Sequence, residues 1–352
     1  MLYQLSYLAG GAKASVRAVM RSIVAVGAAV LVAASLSGGT EQPPEPLSVA
    51  LPSASVPKRL APLGPGAPGW ARRLYRRSAQ VLIALTDRSG AMIAGERDGW
   101  DYVWPRDASA GAMALEATGL RPEARRVAGF LEGLDLDDAA RFYPDGSRVP
   151  GRTAAGDGEG WLAAAQRTVL PRGRVATTKQ DDPLDWRDQQ DYGENTTGDL
   201  LGNAIAAGVP AAEIKARFLT SRGLVRENGS NELDSAAAWA ATAFPSRGLR
   251  GAARKTLLSL TRESTPYGIP PMEGWTPGEV WTAPTAWSAW ALTELGEPHA
   301  ADRLLAELHR AETPAGTLPE RVSAADGHPT STTPLAWSHA FAILALQARY
   351  GD

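Results

Sequence analysis

The chain has 352 residues, 44 % of them hydrophobic and 21 % charged, which excludes collagen-like, low-complexity and wholly disordered proteins. Thirty-six basic against 38 acidic residues give a formal net charge of −2, so nothing drives the chain toward nucleic acid, and no nucleic-acid partner is expected. The absence of cysteine rules out disulfides, thiolate zinc sites, iron–sulfur clusters and a Cys nucleophile. The four His, at 299, 309, 328 and 339, show no metal-ligand spacing, so neither a metal site nor a cofactor is expected. The informative excess is tryptophan, with eleven residues suited to stacking on sugar rings or packing between helices.

Lys13, Arg17 and Arg21 precede an uncharged apolar run, Ser22 to Gly39, with small residues near its end. That order is the pattern of a secretory signal. Its length is also close to that of the shortest spanning helices, so residues 1–39 read as a cleaved signal peptide or an N-terminal anchor. Either places the rest of the chain outside the cytoplasm, and any membrane association rests on 22–39 alone. Residues 40–69 are rich in Pro, Ser and Gly and read as a linker or a strap over the domain surface. The remaining residues, 70–352, are expected to form one domain.

From Trp70 onward, apolar residues recur at helical spacing and Gly or Pro punctuates the gaps. The pattern predicts helices near 70–86, 107–119, 122–134, 159–170, 196–208, 210–221, 233–244, 248–263, 283–296, 298–311 and 334–350. Only Gln80 to Thr86 competes as a strand. Helices in pairs with long and short connections in turn suit an all-α toroid. An irregular bundle is the alternative.

Several connections are too aromatic and acidic for simple turns: 99–107, 157–161, 185–195, 272–281 and 318–321. Each precedes a predicted helix, so carboxylates and aromatics gather at one end of the array. A concave site of that make-up, without metal or paired His, suits sugar cleavage. In the first loop Arg106 and Asp107 stand at a helix start. They could be a cap and its ion-pair partner. They could equally grip the hydroxyls of one sugar ring, with Trp100, Tyr102 and Trp104 as the aromatic wall.

The segment YVWPRDAS at 102–109 resembles the first signature of glycoside hydrolase family 15, the glucoamylase family. Further segments are similar to that family's motifs, in its order. They are Asp157-Gly158-Glu159-Gly160-Trp161-Leu162, Asn231-Glu232-Leu233-Asp234-Ser235-Ala236 and the run from Gly278 to Trp287. The last is Leu318-Pro319-Glu320-Arg321 followed by Pro334-Leu335-Ala336-Trp337-Ser338-His339-Ala340. The resemblance covers about residues 70 to 350. It implies an (α/α)6 barrel, a toroid of six helical hairpins, and an exo-acting inverting hydrolase of α-glucosidic bonds with a carbohydrate substrate.

Inverting hydrolysis uses two carboxyl groups roughly 6.5–9.5 Å apart. The resemblance maps the general base onto Glu320. The family's acid sits in a Trp-Glu pair that this chain lacks. The corresponding place is Asp191-Tyr192-Gly193-Glu194-Asn195, which makes Glu194 the acid candidate, with Asp188 and Asp191 behind it. Glu194 also reads as an ordinary carboxylate at a helix start. Asp157, Glu273, Trp275 and Trp281 complete the expected sugar-binding set. No Arg occurs in 265–281, where glucoamylases often place one. The competing reading is a non-catalytic sugar-binding or envelope-associated protein on a degenerate glycosidase barrel.

Overall fold

The computed structural model describes residues 60–97, 99–136, 139–150, 156–170 and 200–351. The segment read as a signal or anchor, most of the proline-rich linker, and Glu194, Asp188 and Asp191 lie outside the described residues. No described helix is long and apolar enough to cross a membrane.

The described residues are mainly helical. Helices α1 (Gly69–Ala84), α2 (Pro105–Ala117), α3 (Arg121–Glu132) and α4 (Gly158–Val169) come first. Then follow α5 (Leu201–Ala206), α6 (Ala211–Phe218), a 3-10 helix (Ser235–Ala241) and α7 (Arg250–Arg262). Helices α8 (Thr282–Glu294), α9 (Pro298–Arg310) and α10 (Ala336–Tyr350) complete the series. Starts and stops have local causes. Pro105 opens α2 because a first-turn residue needs no N–H partner, which moves that start two residues before the expected one. Gly119 and Gly296 follow α2 and α8 in the left-handed region, at φ 81° and 79°. The competing strand over Gln80–Thr86 is overruled, since all but its last two residues lie in α1.

Two kinds of helix alternate. In α9, Ala301, Leu304, Leu305 and Leu308 are buried along one stripe, and α3 buries Ala124, Val127, Ala128 and Leu131 in the same way. By contrast, α2 is buried continuously from Pro105 to Leu115, and α10 from Ala336 to Leu346. A helix apolar on all sides belongs inside, and one with a single stripe covers it. The inner helices pack side by side: α10 against α8 and α2, α2 against α4, and α8 against the 3-10 helix, which also meets α5. This is an all-α architecture of inner helices backed by outer ones. Trp161, Trp239, Trp287, Trp337 and Phe341 meet edge to face or tilted among the inner elements.

Three departures from the sequence reading have physical causes. The expected helix over 233–244 is a short 3-10 helix, because Asp234 is held extended in a bridge to Met272 and Thr242 already leaves helical geometry, at φ −123° and ψ −99°. An unexpected antiparallel pair, β1 (Glu279–Trp281) with β2 (Arg321–Ser323), sets Trp281 opposite Arg321. Its strands have three residues each, too few for an alternating pattern to register. The proline-rich strap is partly core: Leu63 and Ala67 are buried, and Gly64 N–H donates to the Tyr350 carbonyl at 2.6 Å.

Where α4 meets α5, a Cβ on Gly160 would lie 2.2 Å from the Ala206 carbonyl oxygen. Backbone cannot yield cheaply there. Gly160→Ala is therefore expected to destabilise the protein by about 1–3 kcal/mol, read from a lowered urea midpoint.

Candidate active site

The N-terminal ends of the inner helices carry the polar residues. At the start of α2, Trp104 is the cap residue and makes no side-chain cap. Asp107 is therefore the third residue of the helix and not its cap, so the capping reading is set aside. Arg106 Nη1 donates to Asp157 Oδ2 at 2.7 Å, across 51 residues of chain. Both are buried, at 7 % and 0 % exposure. The same guanidinium lies 4.8 Å from the centroid of Trp337, the second residue of α10. One cation thus joins the starts of α2, α4 and α10. Its fork and charge are what a sugar's hydroxyl oxygens require, and Asp157 Oδ1 has no protein hydrogen-bond partner in the structure.

The aromatic loop lies beside this pair. Trp100 and Trp104 are 5.8 Å apart, and Tyr102 meets Tyr143 edge-on at 5.5 Å. Arg141 lies over Tyr102 at 4.6 Å and over Trp104 at 5.6 Å. Ala94 and Gly95, whose N–H groups donate to the Tyr102 and Trp100 carbonyls of that loop, also touch the segment that supports Glu320. Ala336 N–H donates to the Ala94 carbonyl at 2.7 Å, and a Cβ on Gly95 would press on Thr332, Pro334 and Trp100.

Glu320 is 3 % exposed and stands on the loop just before β2. Ser331 Oγ donates to its Oε2, and Arg321 Nε lies 3.4 Å from the same oxygen. Burial pushes the carboxyl above the ordinary glutamate range, and the Arg321 charge and the Ser331 hydroxyl pull part of the way back. Arg321 also donates to Glu279 at 2.8 Å and faces Trp281 at 5.7 Å. Both of the contacts to Ser331 and Arg321 are made by Oε2.

A further group lies around the 3-10 helix. Leu200, Asn203, Arg226, Asp234, Trp239 and Trp287 line a small, partly open pocket. Asp234 Oδ1 accepts from Ala236 N–H at 2.7 Å, and its Oδ2 faces Arg226 at 3.6 Å. Burial raises the Asp234 carboxyl, and Arg226 opposes this. Asn203 Nδ2, Ser235 Oγ and Trp239 Nε1 face no protein acceptor or donor. Trp287 connects this pocket to Arg106, since it packs on Trp337 at 4.9 Å. Among the described residues no cluster of acidic or His side chains could hold a metal.

No protein-family model and no curated protein matches the sequence. Solved structures do. A wild-type glycosidase superposes at TM-score 0.64 and 18 % identity, over 80 % of this chain and 97 % of that one. The glucoamylase of Hormoconis resinae gives 0.63 and 15 %, over 80 % and 73 % of the two chains. That of Saccharomycopsis fibuligera gives 0.57 and 14 %, over 79 % and 94 %. The chain has the glucoamylase-like fold.

Within this glucoamylase-like fold, the expected residues divide. Arg106, Asp107, Asp157, Trp100, Trp104 and Trp281 stand at or just before the starts of α2, α4 and α8, and Glu320 stands just before β2, its carbonyl bonded to Thr282 N–H at the start of α8. Glu273 is in a different position. Arg222 takes both its oxygens, at 2.8 and 2.6 Å, and Leu233 N–H adds a third bond at 3.0 Å. Its carboxylate ties the 272–281 loop to the 222–233 segment that leads into the 3-10 helix, so the expected sugar contact is corrected to a structural one. Trp275 packs on Trp281 at 5.9 Å and lies under Arg226 at 5.4 Å. Arg226 is a buried cation beside the 272–281 loop, which has no Arg of its own. It comes from a separate segment of chain, and no local pattern in Arg222-Gly223-Leu224-Val225-Arg226 could have announced it. Asp234 and Trp337 carried a signal in their motif segments, whereas Asn203 carried none.

Proposed function

We propose that the chain is an extracytoplasmic, exo-acting, inverting α-glucoside hydrolase that releases β-glucose from small α-gluco-oligosaccharides. The observation that carries this reading is the buried Glu320 carboxyl at the same end of the inner helices as the Arg106–Asp157 pair and its aromatic wall. The glucoamylase-like fold supports the reaction class, and the basic and apolar N-terminal pattern supports the location.

In this mechanism Arg106, Asp107 and Asp157 bind hydroxyls of the terminal glucose. Trp100, Tyr102 and Trp104 face its ring. Glu320 Oε1 takes a proton from a water that attacks the anomeric carbon. The glycosidic C–O bond breaks as Glu194, assigned by motif order, donates a proton to the leaving oxygen. Attack opposite the leaving group turns an α-linkage into β-glucose.

The test incubates the purified protein with maltose, isomaltose, trehalose and maltotriose and follows the anomeric signals by NMR. β-Glucose ahead of mutarotation is expected. α-Glucose first would remove inversion. A folded protein that binds these sugars and releases nothing would be a sugar-binding barrel instead.

A further inference from the structure

The Leu318–Glu320 segment is unusually well held for a loop. His339, in the first turns of α10, is fully buried. Leu318 N–H donates to its Nε2 at 2.9 Å, and its Nδ1 lies 2.9 Å from Ser78 Oγ in α1. A backbone N–H can only donate, so Nε2 carries the lone pair and the proton sits on Nδ1, directed at Ser78. Burial and the nearby Arg77 charge push the imidazole down to about 3, which keeps it neutral.

The next two residues are held as firmly. The Pro319 carbonyl accepts from Thr282 Oγ1, and Ser338 Oγ lies 3.3 Å from the same oxygen and 2.6 Å from Thr282 Oγ1. Thr282 N–H donates to the Glu320 carbonyl at 3.1 Å, and Glu320 N–H donates to Thr332 at 2.9 Å. Leu335 N–H donates to the Leu318 carbonyl at 3.0 Å. Every backbone polar group from Leu318 to Glu320 therefore has a partner, drawn mainly from the starts of α8 and α10.

We propose that His339, with Ser338 and Thr282, is a positioning device that fixes the Glu320 carboxyl against the inner helices in the geometry its reaction needs. The proposal rests on the reading of Glu320 as general base. All three side chains are fully buried, away from solvent. Each acts through the backbone that carries Glu320, where a displacement near 1 Å can cost about 100-fold in rate.

Two variants separate this role from simple support of the core. His339→Asn keeps a polar group near Ser78 but withdraws the acceptor from Leu318 N–H. His339→Gln restores an acceptor oxygen near the Nε2 position. On an α-glucoside turned over by the wild type, His339→Asn is expected to lose about 10- to 100-fold in kcat with KM nearly unchanged. The acid limb of its pH–rate profile should also move, because Ser331 and Arg321 would no longer meet Glu320 in the same place. His339→Gln should recover most of the rate. Should His339→Asn fail to fold, Thr282→Val removes the Pro319 contact and is read the same way. A folded variant with wild-type kcat and pH profile, whatever its melting temperature, overturns the proposal and leaves the Glu320 assignment standing. A wild type inert toward every α-glucoside overturns both.

Discussion

Glu320→Gln is expected to lower kcat by about 10²- to 10⁴-fold, the usual share of a general base, while the protein stays folded. The amide keeps an oxygen for the Ser331 hydroxyl and fills the same volume beside Arg321. It cannot take a proton from water. The variant should also be no less stable than the wild type at neutral pH. Burial raises the Glu320 carboxyl, so the folded state favours its protonated form. A raised carboxyl contributes stability below the unfolded value and loses it as pH rises through the folded value. Ionised Glu320 is therefore a cost at neutral pH that the amide does not carry. In the wild type, the acid limb of kcat/KM should lie above the ordinary glutamate range for the same reason. Steady-state kinetics with thermal melts across pH measures all three. A fully active Glu320→Gln protein would remove this residue from the chemistry.

The largest stability loss is expected from Asp157→Ala. Its carboxylate is fully buried and meets Arg106 at 2.7 Å. Removing one partner of a buried pair leaves the other charge desolvated without it, at a cost of about 3–5 kcal/mol. In a domain of this size that corresponds to roughly a 10 °C drop in Tm. The stack of Arg106 on Trp337 persists but is worth only about 0.5–2 kcal/mol, too little to offset the loss. Calorimetry checks the magnitude. Sugar affinity should fall with it, because the guanidinium would lose the partner that orients its fork. A variant with unchanged Tm would mean that Arg106 is compensated by another group.

The candidate site was legible in the sequence to the extent that it sits in motif segments. Arg106, Asp107 and Asp157 stand out because each lies in an aromatic or acidic loop before a helix, and Glu320 because the resemblance maps the general base onto it. Their partners do not. Arg106 reads naturally as a neighbour of Asp107, yet the structure pairs it with Asp157, 51 residues away. Glu273 reads as a sugar contact in a Trp-rich loop, yet Arg222 occupies it. His339 was noted for its lack of a metal partner, and its bond to Leu318 spans 21 residues. Glu194 stands on motif order alone, outside the described residues.

The sequence by itself determined most of the helix series and the gathering of polar loops at one end of the array. These follow from local physics: 3.6-residue periodicity, Gly and Pro stops, and the side chains each turn can bury. The tertiary structure decided which charges pair, that Arg226 rather than a residue of 265–281 lies over Trp275, that β1 joins β2, and that α8 and α10 grip the Glu320 loop. Those contacts depend on how packed helices register against one another. A shift of one residue along a helix turns a side chain by about 100°. No pattern confined to one segment records that register.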